Sequence, residues 1–153
     1  MSRGIVLATR FGPTSAAPAA VAADLAHRFS ARVTVVYIAA ELQALDAAGG
    51  EAGVDPHAER ERTLARINQE LHSFIAEHLR DEEVAVQVIE GGDVAEIVTR
   101  VARETDARFL VVGTRGRGQL ARLILGDTTQ SILQRTPCPV VVVPLRDADG
   151  AGA

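Results

Sequence analysis

The chain has 153 residues, 47% of them apolar and 24% charged, so a single globular domain with its own core is expected and no disulfide or metal is needed to hold it. The formal charge is -4 and aromatic residues make up 3%, which excludes a nucleic-acid binder that works by bulk positive charge or by base stacking. All 16 basic residues are arginine, so lysine Schiff-base chemistry and a P-loop lysine are excluded as well.

In chain order, the first element is a short apolar run, Gly4–Thr9, that reads as a strand. It is cut off by Arg10, and the residues before it are too few for a secretory leader. No apolar run approaches the roughly 18 residues of a membrane span. A soluble, cytoplasmic protein is the expectation, with neither membrane nor nucleic acid as partner. Thr14 and Ser15 offer N-caps for a helix in which Val21, Leu25 and Phe29 recur at four-residue spacing. A second strand spans Arg32–Ile38. The Ala-, Gly- and acid-rich stretch Ala39–Asp55 reads as a surface connection, a loop or a lid.

A long helix follows over His57–Arg80, with Leu64, Ile67, Leu71 and Phe74 on one face. Its charges at Glu59, Arg60, Glu61 and Arg62 read as a solvated surface. Val84–Ile89 is the third strand. Gly91-Gly92-Asp93 opens a third helix, with Asp93 and Glu96 in a capping-box pattern. Phe109–Val112 is the fourth strand, and Pro139–Val143 the fifth. Between these two, Leu120, Leu123 and Ile124 mark a fourth helix that Ile132 and Leu133 continue beyond Gly126. The tail after Arg146 reads as frayed.

Strands alternating with helices give right-handed crossovers, hence an open parallel α/β sheet with helices on both faces. The strands are Val- and Ile-rich and mostly lack alternation, as strands covered on both faces do. Such sheets bind ligands beyond the carboxyl ends of their strands, where the strand order reverses.

The stretch after the fourth strand carries the chemistry: Gly113-Thr-Arg115-Gly116-Arg117-Gly118, then Arg122 and Gly126-Asp127-Thr128. Glycines let backbone N–H groups approach an anion, a helix N-terminus adds partial positive charge, and guanidinium forks fit phosphate. Gly116 to Ala121 formally matches a dinucleotide G-x-G-x-x-A pattern. It follows the fourth strand, however, and Thr136 stands where the ribose-binding acid is required. The four histidines do not form a metal set: His72 and His78 lie far apart around one helix, and His27 and His57 read as solvated. Cys138, between two prolines, reads as structural. With no catalytic triad spacing and no metalloprotease motif, an enzyme is not expected, and any hydrolysis would be slow and phosphate-directed.

The spacing Gly113-x2-Gly116-x9-Gly126, Gly92-Asp93, and a last strand entered through Pro137-Cys138-Pro139 resemble the universal stress protein family across about Arg3 to Leu145. The resemblance implies one domain over residues 1–146 followed by a flexible tail at 147–153. It implies a five-stranded sheet of order 3-2-1-4-5, of the adenine nucleotide alpha hydrolase-like kind. It also implies a homodimer through Val140, Val141, Val142 and Val143, and in many members ATP between the first and fourth strands. Carried onto this sequence, the nucleotide site comprises Ala8, Thr9, Arg10, Ile38, Val112, Gly113, Arg115, Gly116, Arg117, Gly126, Asp127 and Thr128.

Two positions depart from the family pattern. Arg10 stands where an acid is usual, and Asp127 where a Ser or Thr contacts phosphate. A carboxylate about 4 Å from a phosphate oxygen costs on the order of 4 kcal/mol at an effective dielectric of 20. Asp127 would also cap the helix and occupy the anion's donors. Three arrangements follow: Arg10 and Asp127 face each other across the site, or Arg10 meets phosphate while Asp127 holds Mg2+, or both point to solvent. The corresponding functions are an ATP-binding regulatory dimer and a nucleotide-independent dimeric scaffold. The run Val140–Val143 is an apolar edge that pairing with a second copy would protect, with Pro139 and Pro144 bracketing the ladder.

Overall fold

The computed structural model describes residues 3–10, 13–48, 53, 55–115 and 125–145. Five parallel strands form one sheet: β1 Ile5–Ala8, β2 Val33–Ile38, β3 Val84–Ile89, β4 Phe109–Arg115 and β5 Val140–Leu145. Their order is β3-β2-β1-β4-β5, the order expected. β1 lies at the centre, with Ala8 beside Val36 on one side and Val112 on the other.

Successive side chains on these strands go to opposite faces, and both faces are covered. Ile5, Leu7, Val33, Val35 and Val111 pack under helix α1 (Ala16–Phe29), helix α2 (Ala40–Ala48) and helix α3 (Pro56–His78). Val6, Val36, Leu110 and Val112 pack under helix α4 (Val94–Glu104) and helix α5 (Asp127–Arg135). α1 meets the sheet through the small residues Ala19, Ala22 and Ala26, all buried, which lets its backbone lie close. Asp55 caps α3 through the N–H of His57, and Asp93 caps α4 through the N–H of Glu96 at 2.8 Å.

Four expectations need correction. Ala39–Asp55 is not a plain loop: α2 occupies Ala40–Ala48. Its residues are mostly good helix formers, and Leu42 is fully buried against the core. Ser15 does sit at the N-cap of α1, after a 3-10 turn at Pro13–Ser15, but its hydroxyl donates to the carbonyl of Arg10 rather than capping the helix. The β4–β5 ladder does not stop at Pro144: Thr114 pairs with Pro144 and Arg115 with Leu145. β5 is an edge strand, where a residue without an N–H is tolerated. Asp127 is not the cap of α5, because Gly126 holds that place. The helix expected at Leu120–Ile124 and the tail from Arg146 lie outside the described residues. Among the described residues no helix is long and apolar enough to cross a membrane.

A side-chain hydrogen bond adds to the ties between α2 and the sheet. The hydroxyl of Tyr37, on β2 and 8% exposed, donates to Glu41 Oε1 at 2.7 Å. Burial, then the Glu41 hydrogen bond and charge, push the phenol pKa from 10.0 up to about 12. The folded chain therefore holds this proton more tightly than the unfolded chain. Its contribution to stability is intact below pH 10 and is lost as pH climbs from 10 toward about 12. Tyr37 is the sole tyrosine, so the tyrosinate absorbance of the native protein reports this one group. Its midpoint is expected well above that of the guanidinium-unfolded chain, and coincident midpoints would remove the Tyr37–Glu41 contact from the account.

Candidate functional site

At the carboxyl end of the sheet lies a cavity of about 870 Å³. That is within the roughly 300–1,000 Å³ of pockets that enclose small ligands. It exists because β1 connects to β2 on one side while its other neighbour is β4, so the connections leave in opposite directions.

The middle of the cavity is formed by Ala8, Thr9 and Arg10 at the end of β1. The Thr9 hydroxyl donates to the Arg10 carbonyl at 2.8 Å, and the Ser15 hydroxyl donates to the same oxygen. The Arg10 carbonyl thus accepts from two side chains, and Arg10 itself is exposed. On the β4 side, Val112, Gly113 and Thr114 line the wall, with Gly126, Thr128 and Thr129 from the start of α5. On the β2 side, the wall consists of Ile38, Ala40, Gln43, Gly91, Gly92 and Val94.

The residues expected at the site divide as follows. Ala8, Thr9, Arg10, Ile38, Val112, Gly113, Gly126 and Thr128 all line this one cavity. Arg115 closes β4, while Gly116 and Arg117 fall outside the described residues. Asp127 does not line the cavity; it is exposed in the first turn of α5. Among the described residues no ion pair joins it to Arg10, and of the two only Arg10 lines the cavity. Among the described residues no cluster of His, Cys, Asp and Glu is suited to a metal ion. Cys138 is buried and free, and burial pushes its thiol pKa up, as for a structural residue.

Gln43 and the hydroxyls of Ser15, Thr114 and Thr129 were not foreseen. Gln43 went unrecognised because its helix was taken for a loop. The threonines follow a recognised glycine by one and three residues, and that adjacency was the available signal.

Arg10 is the sole ionisable side chain among the described lining, and no carboxylate accompanies it. A guanidinium, a helix N-terminus and several hydroxyls suit an anion, while Val36, Ile38, Val94, Val112 and Ile132 suit an apolar body attached to it. The glycines differ in what they do. Gly91 has φ +100°, and a Cβ there would stand 2.3 Å from Gln43 Oε1. Gly126 has φ −68°, and a Cβ there would meet nothing within 4 Å among the described residues. The left-handed backbone requires glycine at 91, whereas Gly126 has an ordinary φ and lines the cavity.

The universal stress protein family profile matches residues 1–144. A universal stress protein of Mycolicibacterium smegmatis is 32% identical over 104 residues, covering 67% of this chain and 74% of that one. A Mycobacterium tuberculosis universal stress protein is 40% identical over 52 residues, 34% of this chain, which spans 18% of that relative's length. Among solved structures, the Archaeoglobus fulgidus universal stress protein in complex with dAMP aligns with a TM-score of 0.63 at 16% identity, over 94% of this chain and 97% of that one. A universal stress protein in complex with cAMP aligns with a TM-score of 0.57 at 18% identity, over 95% of this chain and 100% of that one.

The contrast between the glycines is measurable by chemical denaturation. Gly91→Ala should lower stability by about 1–3 kcal/mol, because it combines a left-handed backbone with a clash. Gly126→Ala should cost less than about 1 kcal/mol, the difference between glycine and alanine at an N-cap. Equal losses at the two positions would contradict this reading.

Proposed function

The chain belongs to the universal stress protein family, and from that premise we propose that it is a stress-response regulatory protein whose crevice binds an adenine nucleotide. The observation that carries this reading is the cavity where β1 and β4 diverge, whose described lining has one cation, Arg10, and no carboxylate, beside the start of α5. The dAMP and cAMP complexes of two structural relatives support the same ligand class. ATP, with or without Mg2+, is the nucleotide that the resemblance implies. In this reading the phosphates lie toward Gly113, Gly126 and Thr128, the base lies toward Ile38, and Arg10 supplies positive charge. In this reading the protein acts in the cytoplasm, by binding rather than by catalysis.

A second reading is favoured by Asp127. Its carboxylate sits in the first turn of α5, where an anion would meet the N-terminal N–H groups. In that reading the chain is a nucleotide-independent dimeric scaffold, and the crevice of its relatives is kept without its ligand. Both readings include a homodimer through β5. Val140 to Val143 are only half-buried on this edge strand, and a two-fold mate would pair the open backbone.

The native protein is expected to show a thermal shift with Mg-ATP or AMP at millimolar concentration, and to lose it in Gly126→Ala, where a methyl group enters the cavity. Absence of any shift, with no nucleotide found by mass spectrometry of the purified protein, overturns the nucleotide reading. If ATP binds only after Asp127→Ser with Arg10→Asp, the scaffold reading is correct. For the dimer, sedimentation should give twice the chain mass, and Val141→Glu with Val143→Glu should give monomers. A dimer that survives both charges has its interface elsewhere.

A further inference from the structure

One arginine, read from the sequence as part of a wet helix face, contacts both segments that form the β2-side wall of the cavity. Arg60 projects from the first turns of α3. Its Nη1 lies 3.3 and 3.2 Å from Asp46 Oδ1 and Oδ2, on α2. Its Nη2 donates to Glu90 Oε1, the residue immediately before Gly91. The guanidinium thus bridges α2 to the turn after β3, two segments joined in sequence only through α3 and β3. The Arg60 side chain is 28% exposed, against 64% for Asp46 and 45% for Glu90, so the cation is the most covered member of the trio.

Both bridged segments line the cavity close to the bridge. Gln43, one turn before Asp46 on α2, faces Gly91 so closely that glycine's missing side chain is what admits it. Gly91 follows Glu90 directly, and its N–H donates back to the Ile89 carbonyl at 3.0 Å. The far side of α2 is held independently by Tyr37 and by Arg66, whose Nη2 lies 3.7 Å from Glu41 Oε1. The start of α2 is also held by Leu42, buried in the core, and by the Ala39 N–H, which donates to the Ile89 carbonyl at 2.7 Å; the Arg60 bridge adds a hold at Asp46, in its last turns.

We propose that Arg60 is a positioning residue for the crevice: its two ion pairs hold the Gln43 face of α2 against the Gly91 turn and so fix the shape of the β2-side wall. The effect on ligand affinity rests on the nucleotide reading given above; the effect on the wall does not. Exposed charges are screened over about 8–10 Å at physiological salt, so this wall loosens as ionic strength rises.

Arg32 provides a matched control. It pairs with Glu83 at the amino ends of β2 and β3, away from the crevice. In hydrogen exchange of the whole 153-residue chain, Arg60→Gln should speed exchange of the α2 amides, Arg60→Lys should recover part of the protection, and Arg32→Gln should leave α2 unchanged. Asp46→Asn and Glu90→Gln should each give part of the Arg60→Gln effect. In calorimetric titration with Mg-ATP, Arg60→Gln should weaken binding about threefold to tenfold, the scale of one or two surface ion pairs, and Arg32→Gln should not. High salt should narrow the gap between wild type and Arg60→Gln. Unchanged α2 exchange in Arg60→Gln, or unchanged affinity in a variant whose α2 has loosened, overturns the proposal. If the wild type binds no nucleotide, the nucleotide reading fails alone, and the exchange comparison still decides the role of Arg60.

Discussion

Everything at the functional end of this molecule follows from β1 lying between β2 and β4. A parallel strand with neighbours on both sides must send its chain out to one of them, and here it goes to β2. The connection from β1 and the connection from β4 therefore part, and the space between them cannot be filled by either. Short side chains keep it open: Ala8 and Thr9 on one side, Gly113 and Thr114 on the other. The turn at Arg10, the start of α5 and the wall carried by α2 are arranged around that opening.

Charge is placed at this opening sparingly. The chain is acidic overall, yet the described cavity lining carries one cation and no acid. One acid adjoining the lining in sequence, Asp127, stands in the first turn of α5 without lining the space. There it interacts favourably with the helix dipole and competes for the field that an anion would use. Arg10 and Asp127 thus have opposite signs and different stations, one lining the space and one outside it.

Much of this was legible in the sequence because strands buried on both faces must be apolar without alternation. β1, β2 and β4 announced themselves that way, and the glycine spacing from Gly113 to Gly126 marked the wall on the β4 side. Asp93 was legible as a cap because its chemistry is local, acting three residues away on Glu96. What escaped was set by distance along the chain. Alanine-rich α2 looked like a loop because its stability comes from Leu42 reaching the core and Glu41 meeting Tyr37. Arg60 looked like a surface charge because its partners are 14 and 30 residues away, at Asp46 and Glu90. Pro144 looked like a stop because it has no N–H to give a ladder, yet on an edge strand that N–H is not needed for pairing with β4.

The packing at Gly113 joins two places otherwise treated separately. A Cβ on Gly113 would stand 2.8 Å from Leu145 Cδ2, so the last residue of β5 fits into the notch that the glycine leaves. Both residues line the cavity, and Leu145 ends the strand whose outer edge is open. Floor and rim thus share one ribbon of backbone. If a neighbour docking on that ribbon changes the affinity of the floor for its occupant, the occupant must change the affinity for the neighbour by the same factor. Assembly and occupancy are then two readings of a single equilibrium, linked through a leucine and the side chain that glycine lacks.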